Sequence, residues 1–258
     1  MIYLYILVAL LGLAIGSFLN VVIWRVPRGE SVVSPPSACP RCGHAIRAGD
    51  NVPVLSWILL RARCRDCGEP ISVRYPVVEA ATGVLFVLVL ARFGVTVELA
   101  AFLLVAGVAL ALTLIDLDTR RLPDVLTLGV VPVLVALLAV ASAVSGDWTA
   151  LWRALAGGAA LFTFYFVLLL IYPSGMGFGD VKFALSLGLV MGYVGWGTLV
   201  VGAFAAFLLG GVLSIALLAT GKATRKSGLP FGPWMAAGAA VGIGFGEQIA
   251  HAYLSLLV

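Results

Sequence analysis

Apolar residues fill most of the chain in long runs with scarcely a polar interruption. A surface helix of a soluble domain shows one apolar stripe repeating every 3.6 residues, whereas these runs are apolar all round. Each is close to the roughly 20 residues that a helix needs to cross a bilayer. The pattern predicts spans at 2–24, 76–93, 97–117, 124–145, 150–172, 180–194, 196–219 and 231–257. The sixth is short and glycine-rich, as expected of a tilted helix or one whose ends sit in a wet cavity. One long polar stretch, residues 25–75, separates the first span from the second. The fold class expected is an all-α polytopic membrane protein of about eight transmembrane helices, with a small loop domain between helices 1 and 2.

Composition agrees. Of 258 residues, 62% are hydrophobic and 11% charged, against about 25% charged in soluble domains. A soluble globule of this size has no interior large enough for so much apolar surface, and disorder is excluded by the same figures. The formal net charge of +4 is too small to argue for nucleic acid. The placement of the charges says more. With the N-terminus outside and eight crossings, every one of the 16 Lys and Arg residues except Arg92 and Arg153 falls in an inner segment, as the positive-inside bias requires. The first span has its positive residues, Arg25 and Arg28, after the apolar core, the order of an uncleaved anchor. The polar stretch is then cytoplasmic. Gly12/Gly16, Gly188/Gly192 and Gly238/Gly242 recur at spacing four, which predicts close helix packing.

All four cysteines lie in the polar stretch, as Cys39-Pro-Arg-Cys42 and Cys64-Arg-Asp-Cys67. Two such knuckles at this separation predict a tetrahedral, structural zinc site on Cys39, Cys42, Cys64 and Cys67. Gly43 and Gly68 suit the turns, and Arg41, Arg63 and Arg65 favour thiolates. Two disulfides are the alternative, and a reducing cytosol argues against them. Four thiolates complete the shell, so His44 is not expected as a ligand, and a closed site holds shape rather than catalysing.

Acids inside membrane spans are rare and usually functional. Asp116, with Asp118, ends the third span, and Asp180 opens the sixth in Gly177-Phe178-Gly179-Asp180. Both sit at the cytoplasmic ends of their spans, so helices three and six can bring two carboxylates to one depth. A close pair shares a proton, one acid acting as base and the other as proton donor, which suits hydrolysis of a peptide bond. The same acids also suit a proton or cation pathway. Asp118 and Asp124 read equally well as interfacial or helix-starting groups, and Lys182 as a partner for Asp180. Gly244-Phe245-Gly246-Glu247 repeats the glycine-acid string near the outer end of the last span and is read as a decoy.

Several segments resemble the type IV prepilin peptidases, GxGD-type membrane aspartic peptidases, and they do so in order along almost the whole chain. They are Gly16-Ser17-Phe18-Leu19-Asn20 leading to Arg25-Val26-Pro27-Arg28; the double CxxC with Asp50-Asn51-Val52-Pro53; Arg74-Tyr75-Pro76-Val77-Val78-Glu79; Asp116-Leu117-Asp118 with Leu122-Pro123-Asp124; Gly175-Met176-Gly177-Phe178-Gly179-Asp180-Val181-Lys182; and Leu229-Pro230-Phe231-Gly232-Pro233. The resemblance implies an endopeptidase of the prokaryotic cytoplasmic (inner) membrane. Such an enzyme cuts prepilins and pseudopilins after a Gly at the cytoplasmic face, with Asp116 and Asp180 as catalytic acids. It also implies N-methylation of the new N-terminus from S-adenosylmethionine, although Ala48-Gly49 stand where the family often has an aromatic pair. The expected partners are prepilin or pseudopilin substrates and the lipid bilayer, with no nucleic acid; a homodimer is left open. The expected division is a first transmembrane helix at 1–24, a cytoplasmic zinc-binding loop domain at 25–75 and a seven-helix membrane peptidase domain at 76–258. The rival readings are a presenilin-like intramembrane protease and a proton- or cation-coupled transporter.

Overall fold

The structure is a computed structural model that describes residues 2–173, 175–221 and 229–256. Lys222, Arg225 and Lys226, which entered the charge argument, lie outside the described residues, as does the end of the expected last span. The chain divides into two compact units, Met1–Leu99 and Ala100–Val258.

The first unit is a helix pair carrying the polar loop. Helix α1 (Ile2–Arg25) and helix α3 (Arg74–Phe93) run antiparallel. The glycines make the approach possible: a Cβ on Gly12 would stand 2.7 Å from the Gly83 Cα, and one on Gly16 2.6 Å from the Glu79 Cα. Between them the loop forms 3-10 turns at Val26–Arg28 and Ala48–Asp50 and one short helix, α2 (Leu55–Leu59). Three ion pairs, Arg41–Glu69, Arg47–Asp66 and Arg65–Asp50, bind distant parts of the loop together. The bidentate Arg65 fork holds the Asp50 carboxyl below the usual carboxylate range.

The second unit contains α4 (Leu99–Thr119), α5 (Asp124–Thr127), α6 (Val130–Ser145), α7 (Trp148–Ile171), α8 (Phe178–Val194), α9 (Trp196–Ala219) and α10 (Gly232–Ser255). The expected fourth span is broken at Leu128 and Gly129, because Pro132 has no N–H for the Leu128 carbonyl and its ring crowds that group. Helices α7 and α8 form one antiparallel pair and α9 and α10 another. A Cβ on Gly188 would meet the Gly157 carbonyl at 2.6 Å, and one on Gly238 would meet the Ala206 nitrogen at 2.5 Å. This antiparallel order gathers exposed Trp148, Trp152 and Trp196 at one end, where an aromatic belt meets a membrane interface. The C-terminal end of α7 and the N-terminal ends of α8 and α10 lie at the other.

Among the described residues six helical segments are long and apolar enough to span a membrane. The count of eight is not reached by that measure. Helix α8 has 17 residues, and α10 is diluted by glycines, Glu247, Gln248 and His251. Helix α8 is nonetheless the most buried helix of the second unit, and α10 packs closely along α9 through Gly238 and Gly242. A buried helix such as α8 has its neighbours as solvent and needs less apolarity of its own.

Candidate active site and metal centre

The two cysteine knuckles are built alike. In each, the first cysteine's carbonyl accepts from the following glycine, Gly43 at 3.0 Å and Gly68 at 2.9 Å. Each first cysteine's N–H donates across the turn, Cys39 to the His44 carbonyl and Cys64 to the Glu69 carbonyl. Both glycines sit at φ 73°, a left-handed conformation that is costly for other residues. The turns point all four sulfurs at one spot: they are free thiols, with every pair of sulfurs within 4.8 Å. A tetrahedron of sulfurs about 2.3 Å from one ion has edges of roughly 3.8 Å, and the Cys39 and Cys67 sulfurs are 3.7 Å apart. The cluster can therefore hold a metal ion. Backbone amides of Cys42 and then Arg41 aim at the Cys39 sulfur and hold its thiol down to about 6. His44 contributes its carbonyl to the knuckle and is outside the cluster.

The loop is tied to the helix pair by an acid. Glu79, 8% exposed on α3, accepts from the Val54 N–H at 2.7 Å. Val54 lies at φ 61°, strained for a β-branched residue, immediately before α2. The Asn20 amide on α1 donates to the Tyr75 carbonyl at the start of α3.

In the second unit, Asp116 and Asp180 lie at the end opposite the tryptophans. Asp116, 4% exposed in the last turn of α4, accepts through Oδ2 from the Gly232 N–H at 3.0 Å. Asp180, 7% exposed as the third residue of α8, accepts through Oδ2 from the Gly177 N–H at 2.9 Å. Each carboxyl thus sits at the positive end of a helix dipole, its own in one case and that of α10 in the other. Leu122 packs against the backbone of Gly179, the neighbour of Asp180, and of Gly232, the donor to Asp116. A Cβ on Gly179 would come 2.8 Å from the Leu122 Cβ, and one on Gly232 would come 2.8 Å from Asp116 Oδ2 and 3.5 Å from Leu122 Cδ2. Bare backbone at 179 and 232 leaves room for the Leu122 side chain, and the two carboxyls lie within electrostatic reach of each other. Asp118, two residues on and so about 200° round the helix, is exposed.

Other charged groups found partners that the sequence did not disclose. Lys182 reaches not Asp180 but Asp124, Nζ to Oδ1 at 2.7 Å, and lies over the Phe178 ring. Among the described residues Asp180 has no ion pair. Glu247, in the repeated glycine-acid string, accepts from the Thr198 N–H at 3.0 Å and its hydroxyl at 3.3 Å, closing the first turn of α9. Arg153 donates to the Gly192, Tyr193 and Val194 carbonyls and closes the last turn of α8. The Gly232 amide was also missed as a partner of Asp116. Pro233 signals a helix start there, but no local pattern reveals an acceptor 116 residues away.

Two family profiles match. The profile described as "Bacterial Peptidase A24 N-terminal domain" covers residues 10–93, and that described as "Type IV leader peptidase family" covers residues 103–215. Relatives bearing the name prepilin leader peptidase/N-methyltransferase include one from Myxococcus xanthus, 43% identical over 84% of this chain and 64% of its own length. One from Burkholderia pseudomallei is 38% identical over 92% of this chain and 84% of the relative. One from Pseudomonas aeruginosa is 35% identical over 95% and 91%. No solved structure matches the chain. With its apolar helices, its cysteine cluster and relatives of this identity along nearly its full length, the chain is a multi-pass inner-membrane protein that belongs to the type IV leader peptidase family.

Proposed function

We propose that this chain is an aspartic endopeptidase that removes the leader from type IV prepilins and pseudopilins after a Gly, with Asp116 and Asp180 as its catalytic acids, and that the new N-terminus is then methylated from S-adenosylmethionine. The observation that carries the reading is a pair of buried carboxyls at one end of the helical unit, each held by a single backbone N–H and within electrostatic reach of the other. Asp118 is the weaker choice for the first acid, because it is exposed and turned away.

In the proposed reaction one acid is ionised and the other protonated. The ionised carboxylate takes a proton from water as the water oxygen bonds to the scissile carbonyl carbon, and the protonated acid donates to the carbonyl oxygen. Collapse of the tetrahedral intermediate breaks the C–N bond, with a proton passing to the leaving nitrogen. The substrate geometry suits this: an apolar pilin helix stays in lipid while its basic leader stays in the cytosol, so the bond to be cut lies at the membrane surface. The positive-inside bias supports an N-terminus outside and a cytoplasmic cysteine loop, in eight crossings. Four clustered soft thiolates suit zinc, which when bound would cross-link the loop. The names carried by the relatives favour leader cleavage over the intramembrane-protease and transporter readings.

Mass spectrometry of a prepilin co-expressed with the protein tests the reading. A product beginning immediately after a Gly and carrying one added methyl is expected, and Asp116→Asn and Asp180→Asn should each leave the prepilin uncut. Normal processing by either variant would remove that residue from the pair.

A further inference from the structure

The start of α10 has an unusual arrangement of donors. The amides of a helix's first turn need acceptors, and a Ser, Thr, Asp or Asn at the N-cap is the local and common solution. Here the N-cap is Phe231, which makes no side-chain cap bond, and Pro233 has no N–H to offer. The Gly232 N–H is buried, and its acceptor is Asp116 Oδ2 at 3.0 Å, across two helices that are remote in sequence. A side chain at 232 would strike that oxygen at 2.8 Å. Phe231 in turn packs against two rings, Phe207 at 5.2 Å and Tyr165 at 6.1 Å between centroids, and these two stack on each other at 5.5 Å. Gly210 on α9 leaves the space in which the Phe231 ring lies. The amide is therefore clamped from behind by α7 and α9.

We infer that the first turn of α10 is a third structural component of the active site, in which the Gly232 N–H is a positioning group that fixes the Asp116 carboxyl toward Asp180, held in place by the Phe231–Phe207–Tyr165 stack. The inference deepens the catalytic reading of Asp116 and rests on it. Residue 232 lies beyond the segment matched by the leader-peptidase profile, which ends at 215. The geometry assigns Gly232 two tasks at once: to supply a donor and to lack a Cβ. A single fixed N–H leaves the other oxygen of Asp116 free for chemistry, whereas a side-chain donor would bring rotameric freedom of its own.

The test measures kcat and KM for prepilin cleavage by the purified full chain in detergent micelles. Gly232→Ala pushes the carboxyl off its donor, and displacement of a reacting group by about 1 Å costs on the order of 100-fold. The expected result is a kcat reduced about 10- to 100-fold with KM within about threefold of the parent. Gly211→Ala, the same change where a Cβ meets nothing within 4 Å, should keep parental kinetics. Phe231→Leu should lower kcat several-fold, and Phe231→Tyr, which keeps the ring, should restore it. Parental kcat in Gly232→Ala, or a loss seen only in KM, overturns the inference. Should Gly232→Ala fail to accumulate in the membrane, equal kcat for Phe231→Leu and the parent overturns it instead. Asp116→Asn in the same assay separates the two levels. An active Asp116→Asn refutes the catalytic reading itself. An inactive one beside a fully active Gly232→Ala refutes only the role of α10.

Discussion

Replacement of Asp180 by Asn separates catalysis from folding. The amide oxygen of Asn can still accept from the Gly177 N–H, now 2.9 Å from Oδ2, so the N-terminal turn of α8 keeps its closure. What is lost for stability is the difference between a charge-assisted and a neutral hydrogen bond, about 1 kcal/mol, with a few tenths more from the helix dipole. Proton transfer by a positioned acid is worth about 10²- to 10⁴-fold, or about 3–5 kcal/mol of barrier at 1.36 kcal/mol per tenfold. Activity should therefore fall at least 100-fold while the melting temperature in detergent moves by only a few degrees. Asp116→Asn should behave likewise, since the Gly232 N–H keeps an oxygen to donate to. Asp118→Asn, at an exposed position, should change both by little. The assay is prepilin cleavage on gels alongside thermal unfolding of the same preparations. More than a tenth of parental activity in Asp180→Asn, or an Asp118→Asn loss equal to that of Asp116→Asn, would refute the pairing.

Three further outcomes are expected. Elemental analysis of the purified protein should find about one zinc per chain, and Cys39→Ser or a strong chelator should expose residues 25–75 to protease before cleavage activity is lost; an ordered, protease-resistant loop in metal-free protein would contradict this. Arg153→Met strands three carbonyls at the end of α8 and should cost about 1.5–3 kcal/mol of stability, read as a lower melting temperature, with activity per folded molecule unchanged. Glu79→Ala leaves the Val54 N–H without its acceptor, at a cost of about 1–3 kcal/mol, and should loosen the loop to limited proteolysis. Glu79→Gln, which keeps an acceptor, should not, and equal protection in the two variants would show that the tie is dispensable.

Elements and local chemistry were legible in the sequence because they depend on neighbours along the chain. Unbroken apolarity marked the helices to within a few residues, as with the expected 196–219 and the observed Trp196–Ala219. The knuckles were legible because a CxxC turn and its glycine are a local unit, and the glycine pairs because only small residues at spacing four let backbones touch. Residue identity alone did not settle partners. Gly177-Phe178-Gly179-Asp180 and Gly244-Phe245-Gly246-Glu247 read alike, yet Asp180 accepts from Gly177 at the buried start of its own helix and Glu247 closes the first turn of α9. Lys182 stands two residues from Asp180 and reaches Asp124 instead.

The division has a physical basis. Hydrophobic burial and turn geometry act residue by residue, so they leave a trace in the local pattern. A buried hydrogen bond between groups 116 positions apart, such as Gly232 to Asp116, leaves none, because it exists only once the helices are packed. The sequence by itself determined the lipid-facing helices, the metal-ready loop and the presence of intramembrane acids. The tertiary structure alone decided which amides hold the buried acids, that helices remote in sequence bring them to one end, and which charges are spent closing helix ends.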